Sequence, residues 1–187
     1  MLVTEATVNG AGSAVRQVEN ELAISPQAAQ ELFPNWLATV KNIPVYLNGV
    51  SGLGSPFWVP DFVSKFVGDA EPPEEMVAVI ESIVFLLQVN LEEMQAGRIK
   101  LNQIIVSGGL SVLDGLCQRL ADLSGLPVNR PQQRESTSKG LAFLVSGRKL
   151  SWQAGKNKWF KPEGDEKLMQ RYGLWRDALE SELGKGS

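Results

Sequence analysis

The stretch VSGGLSVLDGLCQRLADLSGLPV, Val106–Val128, decides the fold because it carries the signals of a strand, a turn and a helix in direct succession. It continues the apolar run Ile104–Val106, which predicts an interior strand with both faces covered. Gly108 and Gly109 end that run, and apolar residues then recur at helical spacing. Gly125 predicts the end of the helix, and we expect a further short strand after it.

Two polar residues set the expected start of this helix. Ser111 is predicted to cap it, and Asp114, three residues later, completes a weak capping box. The apolar face of the helix is expected to consist of Val112, Leu116, Leu120 and Leu123. The double glycine should therefore lead directly into a helix N-terminus.

The double glycine has two interpretations. Residues without a Cβ atom let a ligand approach the backbone, and a helix N-terminus offers free amides and a positive dipole to an anion. A nucleotide phosphate or an adenine ring fits that description. A tight strand-to-helix turn that binds nothing also explains Gly108 and Gly109, and glycine placement alone favours it. The glycine-rich start of the first helix, Asn9–Ser13, is a second candidate of the same kind.

Strands and helices alternate along the rest of the chain, which predicts an α/β layered domain. The irregular loop Ser51–Pro60 should be packed down by Phe57 and Trp58. The other expected elements are a helix within Asn9–Ser25, a short helix at Pro26–Leu32, a strand at Pro44–Leu47, a long helix from Glu74, a helix at Ser136–Val145 and a last helix at Asp165–Leu183.

The composition excludes several classes of protein. A net charge of −3 argues against a nucleic-acid binder. The absence of histidine excludes Ser-His-Asp and Cys-His catalysis and histidine metal sites. The lone Cys117 permits no internal disulfide, and no apolar run is long enough to span a membrane, so we expect a cytoplasmic protein. The basic stretch Arg130–Lys161 is either a solvated surface or an attractant for a phosphate-bearing ligand.

Several segments, in order along the chain, resemble the C-terminal lobe of the FGGY carbohydrate kinases, most closely the glycerol kinase branch. They are NGAGSAV, SGLGSPFWVP, EEMVAVIESIVFLLQVNLEEM, VSGGLSVLDGLCQRLADLSGLPVNRP and ESTSKGLAFLVSG. The resemblance implies a partial ribonuclease H-like (actin-like ATPase) domain, with a mixed sheet flanked by helices. On this basis the domain covers residues 1–184, and residues 185–187 form a disordered tail.

The resemblance also implies a nucleotide site for ATP or ADP, with Mg²⁺ arriving on the nucleotide. In the family, the double glycine meets the adenosine, which assigns that role to Gly108 and Gly109. Gly12 would lie near the phosphates, and Arg16 stands where the family often has a polar nucleotide contact. Leu113 stands where the glycerol kinase branch has an asparagine that contacts the nucleotide.

The chain matches only part of such a kinase. The family's sugar-binding N-terminal lobe and the hairpins that carry the catalytic aspartate are not matched, and the chain aligns from their last strand, around Leu2–Val8. We therefore expect no kinase activity from these residues alone, and a partner that is either the N-terminal lobe or a second copy. Three departures suggest an alternative, a stand-alone, non-catalytic binding module: Leu113, Gln88 in place of a usual arginine, and Val59–Ser64, which lacks the Arg-Gly that commonly follows the SGLGSPFW loop in the family.

Overall fold

The computed structural model describes residues 7–97, 99–132, 136–146 and 156–185. The elements in chain order are α1 Ala11–Glu21, α2 Pro26–Thr39, β1 Val45–Leu47, β2 Lys65–Val67, α3 Pro72–Ala96, β3 Ile104–Ile105, a 3₁₀ turn Gly109–Val112, α4 Asp114–Ser124, β4 Val128–Arg130, α5 Ser136–Ser146, β5 Lys158–Phe160 and α6 Glu166–Lys185. The expected α/β alternation is confirmed. Most of the strand expected around Leu2–Val8 lies outside the described residues, as do the last two residues of the chain.

The strands form two small sheets. In one, β1 and β2 pair in antiparallel register, with Val45 opposite Val67. In the other, β4 lies between a parallel neighbour, β3, and an antiparallel neighbour, β5. Ile104, Val128 and Phe160 share one row of this mixed sheet, on the face that α4 covers.

The long helix α3 forms the centre of the core. Its first turn is fixed by a capping box between Glu71 and Glu74. Helices α1, α2 and α4 and strand β1 all pack against it. Apolar side chains are therefore buried around the whole circumference of the helix, as with Met76, Val79 and Val84. This arrangement fixes α1, α2 and α4 relative to one another, and these helices carry the candidate site.

A buried ion-pair cluster joins α3, α4 and α6. The side chain of Glu81 is only 2% exposed and lies within hydrogen-bonding distance of two arginines. Arg119 Nε donates to Glu81 Oε1 at 3.0 Å, and Arg171 donates to both carboxylate oxygens at 2.7 Å. Arg119 also donates to the Leu37 carbonyl at 2.9 Å, which ties α2 to the cluster. A buried carboxylate with this many donors is fully satisfied.

Two expectations, about the second helix and the loop Ser51–Pro60, are wrong. Helix α2 continues to Thr39 instead of ending near Leu32, because Phe33 and Leu37 bury their side chains beyond that point. Trp58 does not pack its loop down: the residue is 68% exposed, while Phe57 reaches the core. The loop is held instead by a bridge between Leu53 and Val59.

Strand β3 is not interior with both faces covered. It lies at the edge of the mixed sheet of the described residues, and Ile105 is 61% exposed on the face opposite α4. Two strands, β2 and β5, were not anticipated, because each has three residues and is defined by its pairing with a neighbour rather than by its own pattern.

The remaining helices agree with the sequence. Helix α4 ends at Gly125 in the left-handed conformation, and α6 buries Leu168, Trp175 and Leu179 of the expected stripe. Cys117 is fully buried, as expected of a small apolar side chain. Among the described residues, no helix is long and apolar enough to cross a membrane.

Candidate functional site

The double glycine forms an exposed turn above the core. Gly108 has φ 96° and ψ −177°, a backbone conformation available almost only to glycine. The turn itself therefore explains Gly108. Gly109 has no such φ, and a Cβ added there would meet nothing within 4 Å. Neither backbone conformation nor protein packing accounts for Gly109, and the space beside its backbone is open.

The turn is not the direct helix start that was expected. Ser111 does not cap α4: its Oγ donates to the Gly108 carbonyl at 2.6 Å, within the 3₁₀ turn. Leu113 occupies the N-cap position of α4, with no side-chain cap. A 3₁₀ turn intervenes, and Arg130 donates to its Ser111 and Val112 carbonyls at 2.8 and 3.0 Å.

Charges below the turn are paired. Arg130 and Lys158 both bind the carboxylate of Asp114. Burial would raise the pKa of Asp114, but hydrogen bonds from Lys158 and Arg130 outweigh it and hold that pKa below its ordinary value. Two cations of the basic stretch Arg130–Lys161 thus share one carboxylate within the protein. Arg130 also supports the turn through its bonds to the Ser111 and Val112 carbonyls.

A cavity of about 360 Å³ lies between the turn and helices α1 and α2. Its volume is in the range of small-molecule sites. The turn contributes Gly108, Gly109 and Leu113; α1 contributes Val15 and Glu19; α2 contributes Pro26, Gln30 and Phe33. Most of these walls are apolar, with one carboxylate and one amide among them. A flat aromatic ring fits such a lining better than a phosphate does.

The five residues named from the sequence divide into two groups. Gly108, Gly109 and Leu113 line the cavity together. Gly12 and Arg16 lie on the neighbouring face of α1 and do not line it. Arg16 is exposed, and its Nη2 donates to Ser13 Oγ at 3.2 Å. The two residues that the resemblance assigns to the adenosine, Gly108 and Gly109, thus line one cavity with Leu113. The two that it assigns to the phosphate end, Gly12 and Arg16, lie on α1 outside the cavity lining.

Glu19 is the residue of this site that sequence reasoning missed. It is only 6% exposed, and its carboxylate has no hydrogen-bond or ion-pair partner among the described residues. Burial raises the pKa of Glu19 above its ordinary value, and the nearby charge of Arg16 opposes this only in part. One signal was available: Glu19 follows Val15 by four residues and so shares the apolar face of α1.

Within the part of the chain that the structure describes, no group of three acidic or cysteine side chains could hold a metal ion.

Comparisons with known proteins identify the family. Residues 1–146 match the model of the FGGY family of carbohydrate kinases, C-terminal domain. Glycerol kinase of Allorhizobium ampelinum is 32% identical over 201 residues, which cover 97% of this chain and 40% of that protein. Glycerol kinase of Thermoanaerobacter sp. is 31% identical over 193 residues, which cover 94% and 38%. The chain thus spans about 40% of the length of the curated relatives it matches.

Solved structures give the same fold. The crystal structure of Plasmodium falciparum glycerol kinase with ADP matches with a TM-score of 0.77 at 21% identity, over 93% of this chain and 37% of that one. A ligand-bound xylulose kinase from Lactobacillus acidophilus matches with a TM-score of 0.72 at 23% identity, over 97% and 41%. The expected partial ribonuclease H-like (actin-like ATPase) fold, a mixed sheet flanked by helices, is confirmed. The chain belongs to the FGGY family of carbohydrate kinases, whose C-terminal domain it matches.

Proposed function

We propose that this domain holds the nucleotide of a kinase that transfers a phosphoryl group from ATP to a hydroxyl of a sugar or polyol. The observation that carries the proposal is the cavity beside Gly109, where the backbone is bare and no protein atom takes the space. It lies in a domain whose family phosphorylates carbohydrates, and one structural neighbour was solved with ADP. An ATP-dependent reaction of this kind also favours a cytoplasmic location.

The lining suggests how the nucleotide would be held. The adenosine would lie on the backbone at Gly109, against the apolar side chains of Leu113 and Phe33. The phosphates, with their Mg²⁺, would extend toward the margin of the site, where Gly12 and Arg16 stand on α1. The exposed guanidinium of Arg16 would there neutralise part of the phosphate charge.

We further propose that residues 1–187 alone bind nucleotide but do not transfer its phosphoryl group. Transfer requires an oriented acceptor hydroxyl, a base and metal-assisted charge neutralisation in one place. A chain that spans about 40% of its relatives' length supplies only part of that arrangement.

The test is a phosphotransfer assay with ATP and a panel of polyols and sugars. The purified chain is measured alone and then mixed with a separately purified protein that supplies the remaining portion of a glycerol kinase relative. We expect no turnover alone and acceptor-dependent turnover in the mixture. Turnover by the chain alone would contradict the proposed division of labour.

We also propose which surface contacts the interaction partner, again because the chain spans only about 40% of its relatives' length. Ile105 and Trp159 are exposed on the face of the mixed sheet opposite α4, and they share one row across its strands. We propose that the rest of the kinase covers this row, because the relatives are more than twice as long as this chain. Ile105→Lys should then weaken association with that portion in the mixing assay and leave the folding of the chain intact. If a second copy of this chain covered the row instead of the rest of the kinase, light scattering would show a dimer.

A non-catalytic binding module is the second candidate, favoured by Leu113. Its side chain lines the cavity and offers no hydrogen bond to a ligand. Another departure, Gln88, carries less weight because it lies outside the cavity lining and bonds Glu92 at 3.0 Å. Acceptor-dependent turnover in the mixture would rule this candidate out.

A further inference from the structure

Glu19 is the one ionisable side chain among the residues that line the described cavity. The residue is only 6% exposed, but its carboxylate oxygens are not fully enclosed by protein and open into the cavity, where no described donor reaches them. A ligand that displaces water from such a carboxylate must replace the hydrogen bonds that water provides. A ligand that brings its own donor into the cavity would do so.

The chemistry of the carboxylate restricts that donor. An ionised carboxylate only accepts hydrogen bonds. In an adenine nucleotide, the 6-amino group is the single N–H donor of the base, because N1, N3 and N7 are acceptors and N9 carries the ribose. A hypoxanthine base has a carbonyl oxygen at that position, which would face Glu19 with like partial charge. Its own donor, N1–H, lies at the neighbouring ring position, so the base would have to shift within the cavity to donate to Glu19.

We propose that Glu19 accepts a hydrogen bond from the 6-amino group of adenine and thereby selects adenine over hypoxanthine nucleotides. This inference rests on the proposed nucleotide-binding function and adds a specificity-determining residue to it. The surrounding geometry agrees: the apolar side chains of Phe33, Val15 and Leu113 enclose a ring, while Glu19 lies on the helix opposite the double glycine. A hydrogen bond in such an enclosed site discriminates more strongly than one in open water.

The experiment compares Mg-ADP with the Mg complex of inosine diphosphate by calorimetric titration of the purified chain. Two variants accompany it. Glu19→Gln replaces the carboxylate by an amide that can donate to the hypoxanthine carbonyl. Glu21→Gln makes the same change of charge on the same helix, outside the cavity lining. Thermal unfolding of each variant shows that it is folded.

We expect the unmodified chain and Glu21→Gln to bind ADP at least about tenfold more tightly than inosine diphosphate. In Glu19→Gln this ratio should fall to within about threefold. Equal affinities in the unmodified chain, or an unchanged ratio in Glu19→Gln, would overturn the role of Glu19 while leaving nucleotide binding intact. Failure of the folded chain to bind either nucleotide would instead contradict the proposed function and the inference with it.

Discussion

Replacing each glycine of the double-glycine turn by alanine separates its structural role from its ligand-binding role. At Gly108, alanine is forced into a conformation with φ 96° and ψ −177°. Nothing lies within 4 Å of the added Cβ, so the cost is conformational and not steric. Such a conformation costs about 1–3 kcal/mol for a residue with a side chain. We therefore expect the free energy of unfolding of Gly108→Ala to lie below that of Gly109→Ala by that amount.

Gly109→Ala is the matched control, because its added Cβ also meets nothing and its φ lies outside the left-handed region. Alanine lowers the conformational entropy of the unfolded chain equally in both variants, and this effect stabilises the folded state by about 0.4–1 kcal/mol. It cancels when the two variants are compared with each other. Gly109→Ala should therefore be as stable as the unmodified chain or slightly more so.

Urea denaturation followed by tryptophan fluorescence measures both stabilities, with unchanged slopes confirming comparable transitions. Nucleotide titration supplies the second comparison, because the new methyl group of Gly109→Ala projects into the open space of the site. We expect Gly109→Ala to bind Mg-ADP more weakly at undiminished stability. Equal stabilities for the two variants would refute the conformational argument, and unchanged ADP affinity in Gly109→Ala would refute the ligand-approach argument.

Three further substitutions test the core and the cavity. Glu81→Gln should cost about 3–5 kcal/mol in urea denaturation, because it removes a buried charge that two partly buried guanidinium groups share. Glu180→Gln, in an exposed pair with Arg176, should cost at most about 0.5 kcal/mol, and equal losses would contradict the argument. Glu19→Leu should raise the melting temperature of the free chain while weakening ADP binding; a lower melting temperature would mean that the carboxylate is satisfied in the free protein. Burial raises the pKa of Glu19 in the folded state. The stability of the unmodified chain should therefore fall relative to that of Glu19→Gln as pH rises from the ordinary carboxyl pKa through the raised pKa of Glu19. Parallel stability–pH curves for the two proteins would contradict a raised pKa.

The helical part of the fold follows from the sequence. In α3 and α6 the apolar residues recur over many turns, so a long periodic signal outweighs local ambiguity. Gly125 ends α4 because its left-handed conformation is a local property of the residue. The edge position of β3 could not be read in the same way. Ile104 and Ile105 form the same apolar pair in an edge strand as in an interior strand. Only the neighbouring strands decide which of the two β3 is, and only the elements packed on the sheet decide which face is covered.

The candidate site was predictable only in part. Gly108 and Gly109 mark it because glycine at the end of a strand has a local physical reason. The contribution of α2 was not predictable, because Gln30 and Phe33 reach the cavity through the packing of three helices around α3. The partners of Glu81 lie 38 and 90 residues away in sequence, and no local pattern indicates such distances.

The most direct test of the central claim is a calorimetric titration of Mg-ADP into the purified chain and into Gly109→Trp. The indole would fill the open space above Gly109, whereas Gly173→Trp places the same side chain on an exposed position of α6, equally free of neighbours. The cavity assignment requires ADP binding to the unmodified chain and to Gly173→Trp, and its loss in a folded Gly109→Trp. Unchanged binding in Gly109→Trp, or no binding to the folded unmodified chain, would contradict the assignment of this cavity as the nucleotide site.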